Sequence, residues 1–216
     1  MNAQTERLTL SGPAGAIEAV RDSATLADGA APRCVAIIAH PHPLFGGTMD
    51  NKVVQTLARA FVQCGWTAVR FNFRGVGATA GVYDEGRGEL QDLLAVVEQV
   101  APAAAGQPLA LAGFSFGAFV TSHALEALWP TQRVEKAVLV GTAASRFMVA
   151  PVPPDAHLRT LVVHGEQDDT VPLSAVMDWA RPQILPVTVV PAGGHFFHGQ
   201  LPLLKNLVVR HLQSGA

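Results

Sequence analysis

The chain has 216 residues, which suits one domain of ordinary size and would make two cramped. Hydrophobic residues make up 49% and charged residues 15%, a balance opposite to that of a disordered chain. The net charge of −2 comes with no basic stripe, which argues against nucleic acid or an anionic lipid surface as a partner. Composition therefore favours a single globular domain over residues 1–216.

The N-terminal sequence and the two cysteines indicate the cellular compartment in which the protein is expected. The stretch MNAQTERLTL lacks the basic-then-apolar order of a signal peptide, and no run of about 18 apolar residues indicates a membrane span. Two cysteines, Cys34 and Cys64, are too few for a disulfide framework, and their apolar neighbours favour reduced, buried thiols. We therefore expect a cytoplasmic protein with no membrane partner, and the oligomeric state is left open.

Taken in chain order, the segments predict an antiparallel hairpin followed by alternating strands and helices. Residues 7–10 and 16–20 flank the turn-forming stretch SGPAG. Short apolar runs predict strands over residues 34–39, 68–73, 109–112, 136–140, 160–163 and 187–190. Apolar residues at helical spacing predict helices over residues 50–64, 88–100, 116–129, 172–179 and 201–212. This alternation is typical of an α/β fold, in which a mostly parallel sheet carries helices on both faces and sites lie at the carboxyl ends of strands.

A serine motif lies where the strand over residues 109–112 meets the next helix. The sequence GFSFG over residues 113–117 fits the pattern G-x-S-x-G in the context of a nucleophile elbow. A serine on such a sharp turn projects its hydroxyl above the sheet, and the nearby helix N-terminus favours negative charge. We predict that Ser115 is a nucleophile; the alternative is a glycine-rich turn with an inert serine.

Polar clusters after the last two predicted strands supply the partners that a serine nucleophile needs. A serine hydroxyl requires an imidazole to take its proton, and the imidazole requires a carboxylate to orient it. Asp168 and Asp169 both fit as the carboxylate, although an acidic residue before a helix also commonly caps it. We favour His195 over His198 as the base because it follows the last strand directly, after two glycines that permit a tight loop.

The loop HPHPLFGGTMD over residues 40–50 is the expected source of an oxyanion donor. Acyl transfer needs backbone N–H groups that stabilise the tetrahedral oxyanion, and one is expected from Phe116, the residue after the nucleophile. The two prolines of the loop have no N–H, which leaves His42 or Leu44 for the second donor. We favour His42.

Two alternative sites are weaker. His40 and His42 form only a His-x-His pair, whereas a zinc site needs three or four ligands at recognisable spacing, so we expect no metal. Residues 75–80 fit the dinucleotide pattern G-x-G-x-x-A, but further glycines follow and no helix opens at once. We interpret this segment as a glycine-rich loop beside the site, held by hydrogen bonds from Arg74, and expect no cofactor.

Three strings carry a resemblance to a known family. HPHPLFGGTMDNK (residues 40–52), NFRGVG (72–77) and GHFFHG (194–199) resemble a group of small bacterial α/β-hydrolases described as predicted hydrolases or carboxylesterases, and the resemblance covers nearly the whole chain from about Leu8. It implies an α/β-hydrolase fold with an eight-stranded, mostly parallel sheet and cofactor-free serine hydrolysis. The family pattern His-Gly-x-x-Asp-x-x-Val-Pro places the acid at Asp168. At position 41 this chain has proline where many relatives have glycine. The difference affects which residue supplies the second oxyanion donor.

The resemblance also bears on access to the site. Many α/β-hydrolases insert a helical lid after the sixth strand, whereas here residues 141–158 are short and broken by three prolines. We therefore expect no lid domain and an open cleft, which argues against a deeply buried long-chain substrate. The residues expected to contact substrate are Leu44, Phe45, Phe114 and Phe196, and the alternative for each is ordinary packing.

The sequence thus predicts a serine hydrolase acting on a small-molecule ester or thioester. Ser115 attacks the carbonyl, His195 acts as general base and then acid, and Asp168 orients it. Acyl transfer and peptide hydrolysis share the acyl-enzyme and remain alternatives. A nicotinamide-binding oxidoreductase and a non-catalytic binding module are the alternatives from other classes.

Overall fold

An eight-stranded sheet forms the centre of the computed structural model, which describes residues 5–24, 32 and 34–214. Its strands are β1 (Thr5–Gly12), β2 (Gly15–Asp22), β3 (Val35–Ala39), β4 (Thr67–Phe71), β5 (Leu109–Phe114), β6 (Val134–Val140), β7 (Thr160–Gly165) and β8 (Val187–Val190). Their spatial order is β1-β2-β4-β3-β5-β6-β7-β8. The predicted eight-stranded α/β-hydrolase sheet is therefore confirmed.

The sheet is antiparallel at one edge and parallel elsewhere. β1 pairs with β2 and β2 with β4 in antiparallel fashion, while the other five pairings are parallel. β3, β4 and β5 are buried along their whole length, as expected for strands covered on both faces. β4 ends two residues earlier than predicted because the N–H of Phe73 donates to the ring of His40 instead of to a neighbouring strand.

In the described residues, five α-helices cover the two faces of the sheet: α1 (Lys52–Gln63), α2 (Arg87–Val100), α3 (Phe116–Leu128), α4 (Leu173–Ala180) and α5 (Leu201–Gln213). One apolar cluster joins α1 and α5 to one face, and a second joins α2, α3 and α4 to the other. α1 begins two residues later than predicted because Asn51 caps it, accepting the N–H of Val53 at 2.9 Å.

The connection from β6 to β7 determines how open the site is. It holds loop structure and one short 3₁₀ helix (Pro154–Arg159), with no α-helix. The expected absence of a lid is thus confirmed. Cys34 and Cys64 are free thiols but only half-buried, so the expectation of buried thiols is wrong. Among the described residues, no helix has both the length and the apolar character needed to cross a membrane.

Candidate active site

Ser115 occupies the sharp turn between β5 and α3. Its φ of 58° and ψ of −117° lie where non-glycine residues are rarely found, and its N–H donates to the carbonyl of Val140 at 2.8 Å. A Cβ at Gly113 would overlap the backbone of Gly117, and a Cβ at Gly117 would overlap the carbonyl oxygen of Ala39. Both glycines of the motif are therefore required for α3 to approach β5 and β3 this closely.

Ser115, His195 and Asp168 come together at the carboxyl ends of β5, β8 and β7. The hydroxyl oxygen of Ser115 lies 3.0 Å from Nε2 of His195, and Nδ1 of His195 lies 2.7 Å from Oδ2 of Asp168. All three residues are buried. A carboxylate can only accept, so Nδ1 carries the imidazole proton and Nε2 is free to accept from the serine hydroxyl.

Asp168 is held as an anion. Its Oδ1 accepts the N–H groups of Thr170 at 3.0 Å and Val171 at 2.7 Å. Burial is the largest influence and raises the pKa of the carboxyl, but the hydrogen bonds from His195 and Val171 together hold that pKa below its ordinary value. Asp169, the alternative acid, is exposed and accepts from the hydroxyl of Thr170 at 3.3 Å.

The His195 loop is packed tightly against β7. The carbonyl of Gly193 accepts the N–H of Gln167 at 2.8 Å. His198, the alternative base, is exposed, and its ring lies beside that of Phe196, with centroids 5.9 Å apart. The loop therefore presents one histidine to the serine.

A second histidine lies behind Asp168, and sequence reasoning did not identify it. His164, the last residue but one of β7, is fully buried and donates from Nε2 to the carbonyl of Val171 at 2.9 Å. The same nitrogen is 3.5 Å from Oδ2 of Asp168, and Nδ1 has no partner in the described part of the chain. Burial lowers the pKa of His164, so the ring is neutral and adds only a weak donor beside the carboxylate. In the sequence, the position of His164 at the start of the His-Gly-x-x-Asp pattern could have indicated that it lies near Asp168.

His40 anchors the loop that precedes α1. Its Nε2 accepts the N–H of Phe73 at 3.0 Å, so Nδ1 carries the proton and donates to the carbonyl of Pro41 at 2.6 Å. Burial lowers the pKa of His40 to about 4, and the imidazole is neutral. Since both ring nitrogens have backbone partners, His40 does not offer a nitrogen to a metal.

Among the described residues, the backbone N–H of His42 is free, whereas that of Leu44 is hydrogen-bonded. Its Nδ1 accepts the N–H of Leu44 at 3.2 Å and caps a short 3₁₀ turn (Pro43–Phe45). Leu44 is thus already engaged, whereas the N–H of His42 has no acceptor in the described part of the chain. The His42 ring contacts four aromatic rings at centroid distances of 4.6–5.9 Å, those of Phe45, Tyr83, Phe116 and Phe147.

An open cleft of about 360 Å³ lies above the serine, lined among others by His42, Phe45, Ser115, Arg146, His195 and Phe196. A larger cavity of about 530 Å³ beside α1 shares none of these residues and contains no serine. Because a nucleophile with its base opens only onto the smaller cleft, that cleft is the candidate active site.

The cleft corrects two expected substrate contacts. Phe114 is fully buried, because it packs against the imidazole of His195 with ring centroids 4.9 Å apart, so the expectation that it contacts substrate is wrong. Leu44 is exposed but is not among the residues that line the cleft. Phe45 and Phe196 do line it, and Arg146, which no motif indicated, joins them.

The glycine-rich loop over residues 75–80 does not have the geometry of a dinucleotide site. α2 begins at Arg87, well beyond the glycines, so no helix N-terminus follows the motif. Arg74 instead makes two 2.9 Å hydrogen bonds to the carboxylate of Asp92 on α2. These bonds tie the loop to the helix, as predicted for Arg74.

Comparisons with known proteins agree with this architecture. XC6422 from Xanthomonas campestris, described as an a/b serine hydrolase without lid, is 38% identical over 99% of this chain and 95% of its own, with a TM-score of 0.86. An alpha-beta serine hydrolase homologue from Coxiella burnetii is 39% identical over 96% of this chain and 97% of its own, with a TM-score of 0.80.

Two sequence comparisons add to these structures. The uncharacterised protein RP471 of Rickettsia prowazekii is 41% identical over 117 residues, which are 53% of this chain and 47% of that protein, so the match spans about half of this curated relative. Residues 32–162 match the family Hydrolase_4, described as serine aminopeptidase, S33. The chain therefore belongs to the Hydrolase_4 family and is an α/β serine hydrolase.

Proposed function

We propose that the protein hydrolyses small carboxylic esters or thioesters through an acyl-enzyme on Ser115. The observation that supports this most directly is the relay from the serine hydroxyl to Nε2 of His195 at 3.0 Å and from Nδ1 to Asp168 at 2.7 Å. Ser115 and His195 line an open cleft, and the β6–β7 connection forms no lid over it. We further propose that the substrate is a small molecule and that the enzyme acts in the cytoplasm.

In the acylation step, His195 takes the proton of Ser115 as the serine oxygen attacks the substrate carbonyl carbon. Asp168, ionised and bonded to Nδ1, stabilises the imidazolium that forms. The tetrahedral intermediate collapses, the bond to the alcohol or thiol breaks, and His195 returns the proton to that leaving group. Water, deprotonated by His195, then attacks the acyl carbon, and the proton returns to the serine oxygen.

The oxyanion of each intermediate is assigned to the N–H groups of Phe116 and His42. Phe116 is the first residue of α3, so its N–H has no intrahelical acceptor. None of the described peptide bonds is cis, so the Pro41 carbonyl and the His42 N–H point in opposite directions. His40, by donating to that carbonyl, fixes the direction of the His42 N–H and polarises it.

Ester or thioester hydrolysis is favoured over removal of an N-terminal residue from a peptide, despite the description of the family. An aminopeptidase must hold a substrate ammonium, which a carboxylate does best. The residues that line this cleft include no carboxylate, and they include the cation Arg146. A free amino terminus would therefore be repelled rather than held.

The test is covalent labelling followed by a substrate panel. A fluorophosphonate probe should label the purified wild-type protein and the control variant Ser145→Ala, whose serine is exposed on the β6–β7 loop, but not Ser115→Ala. Short p-nitrophenyl esters and acyl thioesters should be turned over, and amino-acid anilides should not. Labelling that persists in Ser115→Ala, or anilides cleaved faster than esters, would contradict the proposal.

A further inference from the structure

Arg146 is the one permanently charged side chain among the residues that line the cleft. It lies on the loop that follows β6 and is exposed to solvent. The cleft wall it shares with Ser115 and His195 otherwise consists of neutral polar groups, glycines and aromatic rings. A ligand bound at the serine therefore meets a single positive charge.

The guanidinium of Arg146 has no protein partner in the part of the chain that the structure describes. Seven other arginines form ion pairs, namely Arg7, Arg21, Arg70, Arg74, Arg87, Arg159 and Arg181. Arg59 and Arg133 donate side-chain hydrogen bonds to neutral groups. Arg146 and Arg210 do neither among the described residues, and of these two only Arg146 lines the cleft, where its five donors are available to a bound molecule.

The surroundings of Arg146 do not neutralise it. Asp168 is buried and already accepts from His195, and Asp50 pairs with Arg70 at 3.1 Å. The exposed Asp169 forms no ion pair with Arg146 among the described residues and does not line the cleft. The positive charge of Arg146 also affects the loop over residues 40–50. Burial is the larger cause of the lowered pKa of His42, and the charge of Arg146 lowers that pKa further.

Two aromatic side chains give the cleft an apolar wall beside this charge. Phe45 is 72% exposed and Phe196 is 44% exposed, values far from those of a packed core. The ring of Phe196 stands edge-on to the imidazole of His195, with centroids 5.1 Å apart. The lining thus combines a nucleophile, an apolar contact surface and one unpaired cation.

We infer that the substrate is an ester or thioester that carries one carboxylate away from the scissile bond, and that Arg146 binds this carboxylate. This inference rests on the proposed hydrolase activity at Ser115. A single guanidinium matches a monoanion in charge, and its planar fork matches a carboxylate in geometry. A phosphate dianion would call for a second cation, and the cleft lining offers none.

The preference is tested with matched pairs of esters. In 4-acetoxybenzoate the carboxylate is on the alcohol side, and methyl 4-acetoxybenzoate is its neutral partner. In monoethyl adipate the carboxylate is on the acyl side, and ethyl hexanoate is its neutral partner. Because Arg146 is exposed, we expect the anionic member of one pair to be favoured by about 5-fold in kcat/KM at low salt. The pair that shows the preference identifies the side on which the carboxylate is bound.

Substitutions connect the preference to Arg146. In Arg146→Gln the ratio of anionic to neutral kcat/KM should fall by about 5-fold relative to the wild type, and in Arg146→Glu it should fall further. Arg181→Gln, an exposed arginine of the 3₁₀ turn after α4 that pairs with Asp178, is the matched control and should keep the wild-type ratio.

The outcomes separate this inference from the function on which it rests. Equal kcat/KM within both pairs, or a preference that survives Arg146→Gln, would overturn the role of Arg146 while neutral-ester turnover and Ser115 labelling kept the hydrolase activity intact. Absence of both labelling and turnover of all four esters would overturn the hydrolase activity itself, and this inference with it.

Discussion

Acid should destabilise the protein through His40. In the folded chain the pKa of this buried imidazole is lowered from 6.5 to about 4, first by desolvation, with the bond to the Pro41 carbonyl opposing it. The unfolded chain therefore binds this proton first as the pH falls. Stability from this residue is present above pH 6.5 and is lost as the pH falls toward 4.

The magnitude follows from the two pKa values. A fall from 6.5 to about 4 corresponds to about 3 kcal/mol at 1.36 kcal/mol per pKa unit. That is a large part of the roughly 5–15 kcal/mol by which a typical domain is stable. Urea unfolding at a series of pH values between 4 and 7 measures the free energy of unfolding directly, and its slope against pH gives the protons taken up on unfolding.

The control isolates His40 from the other buried histidines. Burial also lowers the pKa of His164, and that of His211 to about 4, so wild-type acid sensitivity is the sum of several groups. His40→Gln keeps a donor and an acceptor but does not titrate, so it should reduce the pH slope by up to one proton per molecule. An unchanged slope in a folded His40→Gln protein would refute the assignment of a neutral, proton-excluding imidazole at this position.

Two further substitutions test the site. Asp168→Asn should lower kcat for ester hydrolysis by about 10⁴-fold, because the imidazole loses the group that fixes its tautomer, whereas Asp169→Asn should remain near wild type; similar losses in both variants would remove the distinction between the acids. Gly117→Ala places a Cβ against the carbonyl oxygen of Ala39, so we expect a lower Tm together with a loss of kcat/KM of at least about 10²-fold. Wild-type values for both in Gly117→Ala would contradict the tight contact between α3 and β3.

The sequence was most informative where local pattern determines structure. Apolar runs and helical spacing predicted each strand and α-helix to within a few residues, because burial on one or both sides of an element repeats with its period. The motif around Ser115 could also be recognised in the sequence, because only glycine fits at positions 113 and 117. Errors at the ends of β4 and α1 arose from side chains, His40 and Asn51, that take over backbone partners.

Features that depend on contacts distant in sequence were not predictable in this way. Phe114 looked like a cleft residue from its place in the motif, yet the return of the chain after β8 places His195 on its ring. His164 faces Asp168 only because of the turn that follows β7. Arg146 lies in a loop without a motif, and its place in the cleft is visible only once that loop is folded beside His42.

The β6–β7 connection has a consequence for turnover. Residues 141–159 form loop and 3₁₀ structure, and within the described part of the chain no hinged segment has to swing aside before a molecule reaches Ser115. Interfacial activation at oil droplets or micelles, which relies on displacing such a segment, therefore has no counterpart in this architecture. The rate should follow the concentration of dissolved monomeric substrate along a simple hyperbola, with no upward break at the solubility limit.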